Sequence, residues 1–479
     1  MTVPSGFTLV LPEDLHQTLF AHLFPGDRDE HGAVIAASVV TGPRGTRLLA
    51  KDLFLAKDGA DYLPGERGYR MLTAAFITDK ILYCRDEQLC YLAVHNHGGH
   101  ASVAFSEDDL ASHERGYPAL SKLSRGQIVG GLAFTTGAVA GDLWIPGGER
   151  RALDGARLLG PSVRHLSSRP AASLATDPRY DRQARLFGKN GQQLLGKLKV
   201  GVIGAGGAGS LIVEYLSRLG IGHLVVADFD RVDISNVPRI TGATFADAQP
   251  LLTATNRPAW IQRLGARLAT RTIDVMRRLA RRANPKGTFE GIDGNFATQE
   301  VSQRFTDCDY LFLAADSFSA RLVFNAMVQQ YLIPGVQVGA KVPVDPATGH
   351  VGEVFTVSRP VRPGVNCLWC NGLIPPSGLQ QEAATQQERQ AQRYVAEESV
   401  HAPSVITLNA TAASLAVNDF LFSMLGLTRD NADSGYLSLW PRSREWRGTD
   451  TRRDEGCPEC SRPDGRLGRG TSWPLPTTG

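Results

Sequence analysis

The chain has 479 residues, 42% hydrophobic and 21% charged, and its 51 basic and 48 acidic side chains leave a formal charge of +3. That length makes room for two or three domains with cores of their own, and the near-balance of charge excludes a polycationic nucleic-acid binder. No stretch approaches the roughly 18 continuous apolar residues of a membrane span, no leader pattern opens the chain, and seven cysteines do not make a disulfide scaffold at this length; the expectation is a cytoplasmic protein with no membrane or nucleic-acid partner.

Residues 12–24 carry helical spacing, 31–40 and 46–56 read as strands, and 69–82 has helical spacing again. CYLAVHNH at 90–97 is a strand, 106–123 a helix, and 127–135 and 138–145 are strands. This predicts a mixed α+β domain over 1–150. Residues 151–176, rich in Ser, Ala and Pro, read as a linker. From 198 the pattern becomes strand–helix alternation: KVGVIG, a helix to 220, HLVVADFD, a helix at 265–282, a strand at 288–292, a helix at 297–305 and YLFLAAD at 310–316. That is the pattern of a parallel, doubly wound sheet over 177–479, so the fold class is α/β in two units. The Gln-rich stretch 378–398 reads as a helical insertion, and the basic stretch 441–453 as a solvated tail.

Chemistry concentrates at three places. On a strand, residues two apart share a side, so His95 and His97 face one cavity. Ser106 starts the next helix, with Asp109 in its first turn. Two imidazoles, one carboxylate and a water make a catalytic zinc site with an open position; Glu30 is the candidate base and Ser106 a candidate oxyanion donor. The bland reading makes Ser106 and Asp109 a capping box and the histidines a half-buried pair. His100 and His113 read as bystanders.

At the second place, Gly204, Gly206, Gly207 and Gly209 follow an apolar strand and open a helix, a phosphate-approach loop. Asp228 ends the next strand, where it would hold a ribose. NAD is the default ligand of such a loop. Asn236 and Arg239, as phosphate partners, and Asp316, as a Mg2+ ligand, favour ATP instead. At the third place, Cys367, Cys370, Cys457 and Cys460 form two CxxC knuckles, the ligand set of a closed structural zinc.

The order Glu30, His95-x-His97, Ser106-x-x-Asp109 resembles the JAMM (JAB/MPN) metalloproteases, over roughly 8–150, with Gly98 where that family usually has proline. The resemblance implies cleavage after the C-terminal glycine of a ubiquitin-like protein. From Asp177 to Cys460 the chain resembles the ThiF/MoeB-type adenylyltransferases, related to ubiquitin-activating enzymes: RYDRQ at 179–183, VGVIGAGGAG at 200–209, ADFDRVDISNVPR at 227–239, ANP at 283–285 and AADSFSAR at 314–321. That resemblance implies ATP, Mg2+ and Zn2+, ribose binding by Asp228, phosphate contacts from Asn236 and Arg239, metal binding by Asp316, and a homodimer in which Arg182 reaches the partner's ATP site. Arg271 stands near the position of the family lysine, and the crossover segment 378–403 has no cysteine, leaving the adenylate itself or a hydroxyl such as Ser399 as the end of activation.

Together the two resemblances imply a bifunctional bacterial-type enzyme. It would adenylate the glycine tail of a ubiquitin-like modifier and cut the same tail, with a conjugating enzyme as further partner and antiphage defence as one setting. The alternatives are sulfur-carrier activation for thiamine, molybdopterin or cysteine-type sulfur transfer, and a non-catalytic scaffold that binds a ubiquitin-like tail.

Overall fold

The computed structural model describes residues 6–63, 70–170, 177–345, 347–383, 403–429 and 435–478. The first unit is a mixed sheet built from β1 (Phe7–Leu11), β2 (Gly32–Gly42), β3 (Gly45–Leu55), β6 (Cys90–Asn96), β7 (Val129–Phe134), β8 (Val139–Ile145), β9 (Glu149–Ala152), β10 (Gly155–Leu158) and β11 (Arg164–Leu166), in the order β11-β10-β1-β3-β2-β6-β7-β8-β9. A small ribbon pairs β4 (Tyr62–Leu63) with β5 (Met71–Leu72). Helices α1 (Glu13–Leu23), α2 (Ala74–Asp86) and α3 (Glu107–Leu123) cover the sheet. Alternate residues of β2 serve two cores: Ala33, Ile35 and Ala37 pack with Leu19 and Leu92, while Val34 and Ala36 pack with Phe76 and Tyr91. The antiparallel β2–β6 register sets Gly32 opposite His95.

The second unit contains α4 (Asp181–Lys197), β12 (Lys199–Ile203), α5 (Gly207–Leu219), β13 (His223–Asp228), α6 (Pro250–Thr253), α7 (Ala259–Leu268), α8 (Thr272–Ala283), β14 (Thr288–Asp293), α9 (Gln299–Gln303), β15 (Tyr310–Leu313) and α10 (Phe318–Gln330). There follow β16 (Gly335–Lys341), β17 (Phe355–Val361), α11 (Pro376–Ala383), α12 (Ile406–Met424), β18 (Tyr436–Trp440) and β19 (Glu445–Thr449). Its sheet runs β14-β13-β12-β15-β16-β17-β18-β19. Strands β12 to β16 are parallel and β17 to β19 antiparallel. The order reverses between β12 and β15, which is where a doubly wound sheet opens a crevice for ligands. Among the described residues no helix is long and apolar enough to cross a membrane.

Four expectations need correction. Residues 151–166 are not linker: β10 and β11 extend the first sheet beside β1, because backbone pairing with a distant strand outweighs the local composition of Ser, Ala and Pro. The expected helix at 69–82 begins only at Ala74, where the Thr73 hydroxyl caps it, after β5. The expected helix at 265–282 is two, broken at 269–271, where Arg271 bridges to Arg231. Residues 445–449 are an exposed edge strand rather than a tail.

The two units meet at one edge. The β2–β3 turn lies against the start of β12 and β15: Arg44 and Arg157 pair with Asp309 at 2.8 and 2.7 Å, and Arg47 donates to the Thr306 carbonyl. Burial would raise the Asp309 carboxyl, but Arg157 and Arg44 outweigh it and hold it below the usual range. Further along, Glu13 pairs with Arg362 at 2.8 Å, next to the end of β17, and the Val163 N–H donates to the Ser423 carbonyl near the end of α12. Apolar packing crosses the same seam through Val10, Val40 and Leu49. Every one of these contacts sits at the edge of the second sheet opposite the β12–β15 crevice.

On α12, Asp419 accepts the Ser358 hydroxyl of β17 at 2.6 Å, and burial pushes its carboxyl up to about 6. A carboxyl with a raised folded pKa holds its proton more tightly in the folded protein. Its favourable contribution is therefore complete at low pH and is lost as pH rises from about 4 through about 6. Asp419→Asn should raise the melting temperature at pH 7.5, by up to about 3 kcal/mol of stability, and flatten the pH 4–6 dependence. Thermal unfolding at pH 4.5 and 7.5 checks this; a lower melting temperature at pH 7.5 with the slope unchanged would refute the assignment.

Candidate functional site

The crevice is built by the turn after β12. Gly204 has φ +85°, and a Cβ there would lie 2.9 Å from the Ala315 nitrogen in the neighbouring turn. A Cβ on Gly209 would come within 1.9 Å of the Gly204 carbonyl, so only glycine lets α5 start this close to the loop. Gly206 is the N-cap of α5 and Gly207 its first residue, which leaves unpaired helix N–H groups facing the crevice. Asp228, at the end of β13, accepts the N–H groups of Ala205 (2.7 Å) and Asp230 (2.8 Å), and burial raises its carboxyl. Asp316 follows β15 on the other side of the crevice. Burial first, and then Asp316, raise the Asp230 carboxyl, so these acids lie within electrostatic range of each other. Divalent cations suit such a set of hard oxygen donors.

The remaining predicted residues reach the same edge. Arg239 donates to the Asn236 side chain and, at 2.9 Å, to the Ser235 carbonyl. Arg271 caps α8 and pairs at 3.1 Å with Asp293, the register partner of Asp228. Arg182 does not join them. Its neighbour Gln183 donates at 3.0 Å to the Leu219 carbonyl, the last residue of α5. That places Arg182 about 18 Å along α5 from the glycine loop of its own chain. Ser399 lies outside the described residues.

In the first unit, His95 and His97 present Nε2 atoms 2.9 Å apart. Asp109 lies 3.6 Å from the first and 3.3 Å from the second. The three ligand atoms fall within 4.8 Å of one another. A tetrahedral zinc with bonds near 2.0–2.1 Å needs ligand–ligand edges of about 3.3 Å, and the donor set fits. Burial would raise the Asp109 carboxyl, but hydrogen bonds from His95, His97 and Ser106 hold it far below the usual range. The hydrogen bond to Asp109 raises His97. Glu30 faces the trio: burial raises its carboxyl while His95 and His97 oppose that rise. The Ser106 hydroxyl donates to Asp109 at 2.7 Å and accepts the Asp109 N–H at 3.1 Å, completing a capping box. In this arrangement the hydroxyl orients the Asp109 carboxylate. His100 bonds Thr136 and His113 bonds Asp142, both outside the trio.

The four knuckle thiols also converge within 4.8 Å. Cys367 and Cys457 are 3.9 Å apart, Cys370 and Cys460 3.6 Å, against an edge of about 3.8 Å for tetrahedral zinc with 2.3 Å bonds. Backbone N–H groups of Cys370, Asp454 and Glu459 point at sulfur, as thiolate ligands require.

Sequence reasoning missed two contributors. Asn96, between the histidines, accepts the His31 N–H at 2.5 Å and donates to the Asp29 carbonyl at 3.4 Å, bracketing Glu30 on both sides. Its place between two ligands was the available signal. Glu382 of α11 accepts the N–H groups of Phe318 (2.6 Å) and Ser319 (2.9 Å) at the start of α10, beside Asp316; nothing local announces that contact.

The family profile described as the ThiF family matches residues 180–459, more than half of the chain. The chain belongs to the ThiF family. Among ThiF-related relatives, the sulfur carrier protein ThiS adenylyltransferase of Bacillus subtilis is 30% identical over 216 residues, 42% of this chain and 56% of that protein. Ubiquitin-like modifier-activating enzyme 5 of Bombyx mori is 25% identical over 265 residues, 52% of this chain and 56% of that protein. The chain thus spans about half the length of these curated relatives. The solved structure of E. coli MccB with MccA-N7isoASN aligns at a TM-score of 0.46 and 16% identity, covering 60% of this chain and 76% of that one. The matched ThiF range begins at Tyr180, so the first sheet lies outside it.

Proposed function

We propose that the ThiF domain adenylates the C-terminal glycine of a ubiquitin-like protein, and that the N-terminal domain hydrolyses the peptide or isopeptide bond after the same glycine. One observation carries the first half: the glycine loop, Asp228 and Asp316 converge at the point where the strand order reverses. The glycine loop would cradle the triphosphate at the α5 N-terminus and Asp228 would take the ribose. Asn236, Arg239 and Arg271 would meet the phosphates, and Asp316 would hold Mg2+, which supplies positive charge to the crowded phosphate oxygens. The substrate carboxylate attacks the α-phosphorus, the bond to the β-phosphate oxygen breaks, and pyrophosphate leaves an acyl-adenylate. ATP–pyrophosphate exchange driven by a glycine-ended ubiquitin-like protein encoded beside this chain is the test; no exchange with any such protein overturns the reading.

The cysteines bear on the fate of that adenylate. Cys84, Cys90 and Cys308, the three outside the knuckles, are buried, and burial pushes the Cys84 and Cys90 thiols up to about 12. Cys308 precedes β15, at the edge away from the crevice. None of these is placed or ionised to take the acyl group, which supports the adenylate itself, or an oxyester on a hydroxyl such as Ser399, as the activated product handed to a conjugating enzyme.

For the N-terminal half, His95, His97 and Asp109 would hold a catalytic zinc, and Glu30 would take the proton of the attacking water. When bound, zinc supplies Lewis acidity toward a carbonyl and toward water. Asn96 fixes the Glu30 segment, and Ser106 fixes Asp109. A modifier pathway of the antiphage type is the setting we favour for the pair. The similarity to ThiS adenylyltransferase favours sulfur-carrier activation as the second reading, and a thiocarboxylate product formed with a sulfur donor would select it.

The place of Arg182, far from its own loop, supports a homodimer in which each arginine serves the partner's site. Mixing equal amounts of Arg182→Ala and Asp316→Ala protein should restore exchange to about a quarter of the wild-type rate, because about half of the dimers are then mixed and each mixed dimer has one complete site of two. Native mass spectrometry and the exchange rate read this; mixed dimers without restored exchange would refute a shared site.

A further inference from the structure

The four-thiolate knuckle is followed by residues 461–478, which have almost no regular structure beyond one short turn at Gly470–Ser472. Yet their path is tightly fixed. The Ser461 N–H donates to the Cys457 carbonyl at 3.0 Å. Arg462 then crosses to the first unit, pairing with Asp14 at 2.5 Å and donating to the Lys51 carbonyl. Gly468 touches both units through its own backbone: its N–H donates to the Gln329 carbonyl at 3.0 Å, and its carbonyl accepts the Ser38 hydroxyl at 2.7 Å.

The other side of this segment rests on α10. Asn325, Gln329 and Gln330 are all 0% exposed. A buried amide must be hydrogen-bonded, at a cost of roughly 1–3 kcal/mol when it is not. Asn325 bonds Glu459 and Leu368, each beside a knuckle cysteine, at 3.2 and 2.8 Å. Gln329 bonds Asn366 and Gly364 ahead of the first knuckle, both at 2.9 Å. Gln330 donates to the Gly470 and Trp473 carbonyls at 2.6 Å and accepts Arg466 at 3.0 Å. The same helix row therefore reads both the knuckle and the tail. If the knuckle opens, these amides lose their partners together.

We propose that the four-thiolate site anchors a clasp: residues 461–478, pinned by metal at Cys457 and Cys460, lock the N-terminal sheet onto the ThiF domain, so metal occupancy sets whether the two domains stay docked. The proposal stands independently of either catalytic reading. The full chain can be stripped of thiolate-bound metal with a mercurial, metal release being measured by a colorimetric dye, and followed by hydrogen–deuterium exchange. Peptides holding Gly468, whose N–H depends on the tail's seat on α10, and Val163, whose N–H depends on docking, should exchange at least about tenfold faster, while β12 and β15 stay protected. Arg462→Ala keeps all four thiolates; it should retain its knuckle metal and still speed exchange at Val163. Unchanged exchange at Val163 in both samples would overturn the clasp. So would equal loss of protection across β12 and β15, since the metal would then be supporting the ThiF fold as a whole.

Discussion

Asp316→Ala protein is expected to lose ATP–pyrophosphate exchange by at least about 10²–10³-fold, the scale seen when a single preorganised electrostatic contact to a transition state is removed. The reason is positional. Asp316 follows β15 across the crevice from the glycine loop, and its side chain is exposed to the crevice rather than committed to the fold. The neighbouring Asp230 carboxyl is raised by burial and then by Asp316. The melting temperature should barely move, because an exposed side chain contributes little to the core. Exchange at the wild-type rate, with folding intact, would remove Mg2+ binding from this residue.

His97→Ala is expected to lower bound zinc by one ion per chain, by elemental analysis, and to abolish cleavage of a glycine-ended modifier fusion. Removing one of three protein ligands from a site with an open position leaves only two, too few to retain the ion. Adenylation should persist unchanged, since the trio lies in a different sheet from the glycine loop. Glu30→Gln separates holding the metal from using it: zinc content should stay at the wild-type value while cleavage falls by about 10²–10⁴-fold, the usual share of a general base. Full cleavage by either variant would place the hydrolytic chemistry elsewhere.

What the sequence made legible was local. The period of two on β6 put both imidazoles on one side, the serine-to-aspartate spacing marked the start of α3, and the glycines after an apolar strand marked the crevice. The capping box does not compete with the proposed ligand role of Asp109, because one carboxylate oxygen faces Ser106 while both lie near the histidines. What stayed illegible was long-range. β10 and β11 have no alternation to find in four and three residues; they are strands only because β1 offers an edge. α12 is rich in Ala, Thr and Asn and is buried on more than one side, so no polar face stands out. Glu382, Asn325 and the two glutamines of α10 gain their meaning from partners tens to hundreds of residues away.

The seam between the two units lies at the edge of the ThiF sheet opposite its crevice, while the histidine trio sits at the end of β2 remote from the β2–β3 turn. The two sites therefore lie on separate sheets, each away from the seam that joins the units. If both sites act as proposed, occupancy of one by a client protein is expected to leave access to the other unchanged.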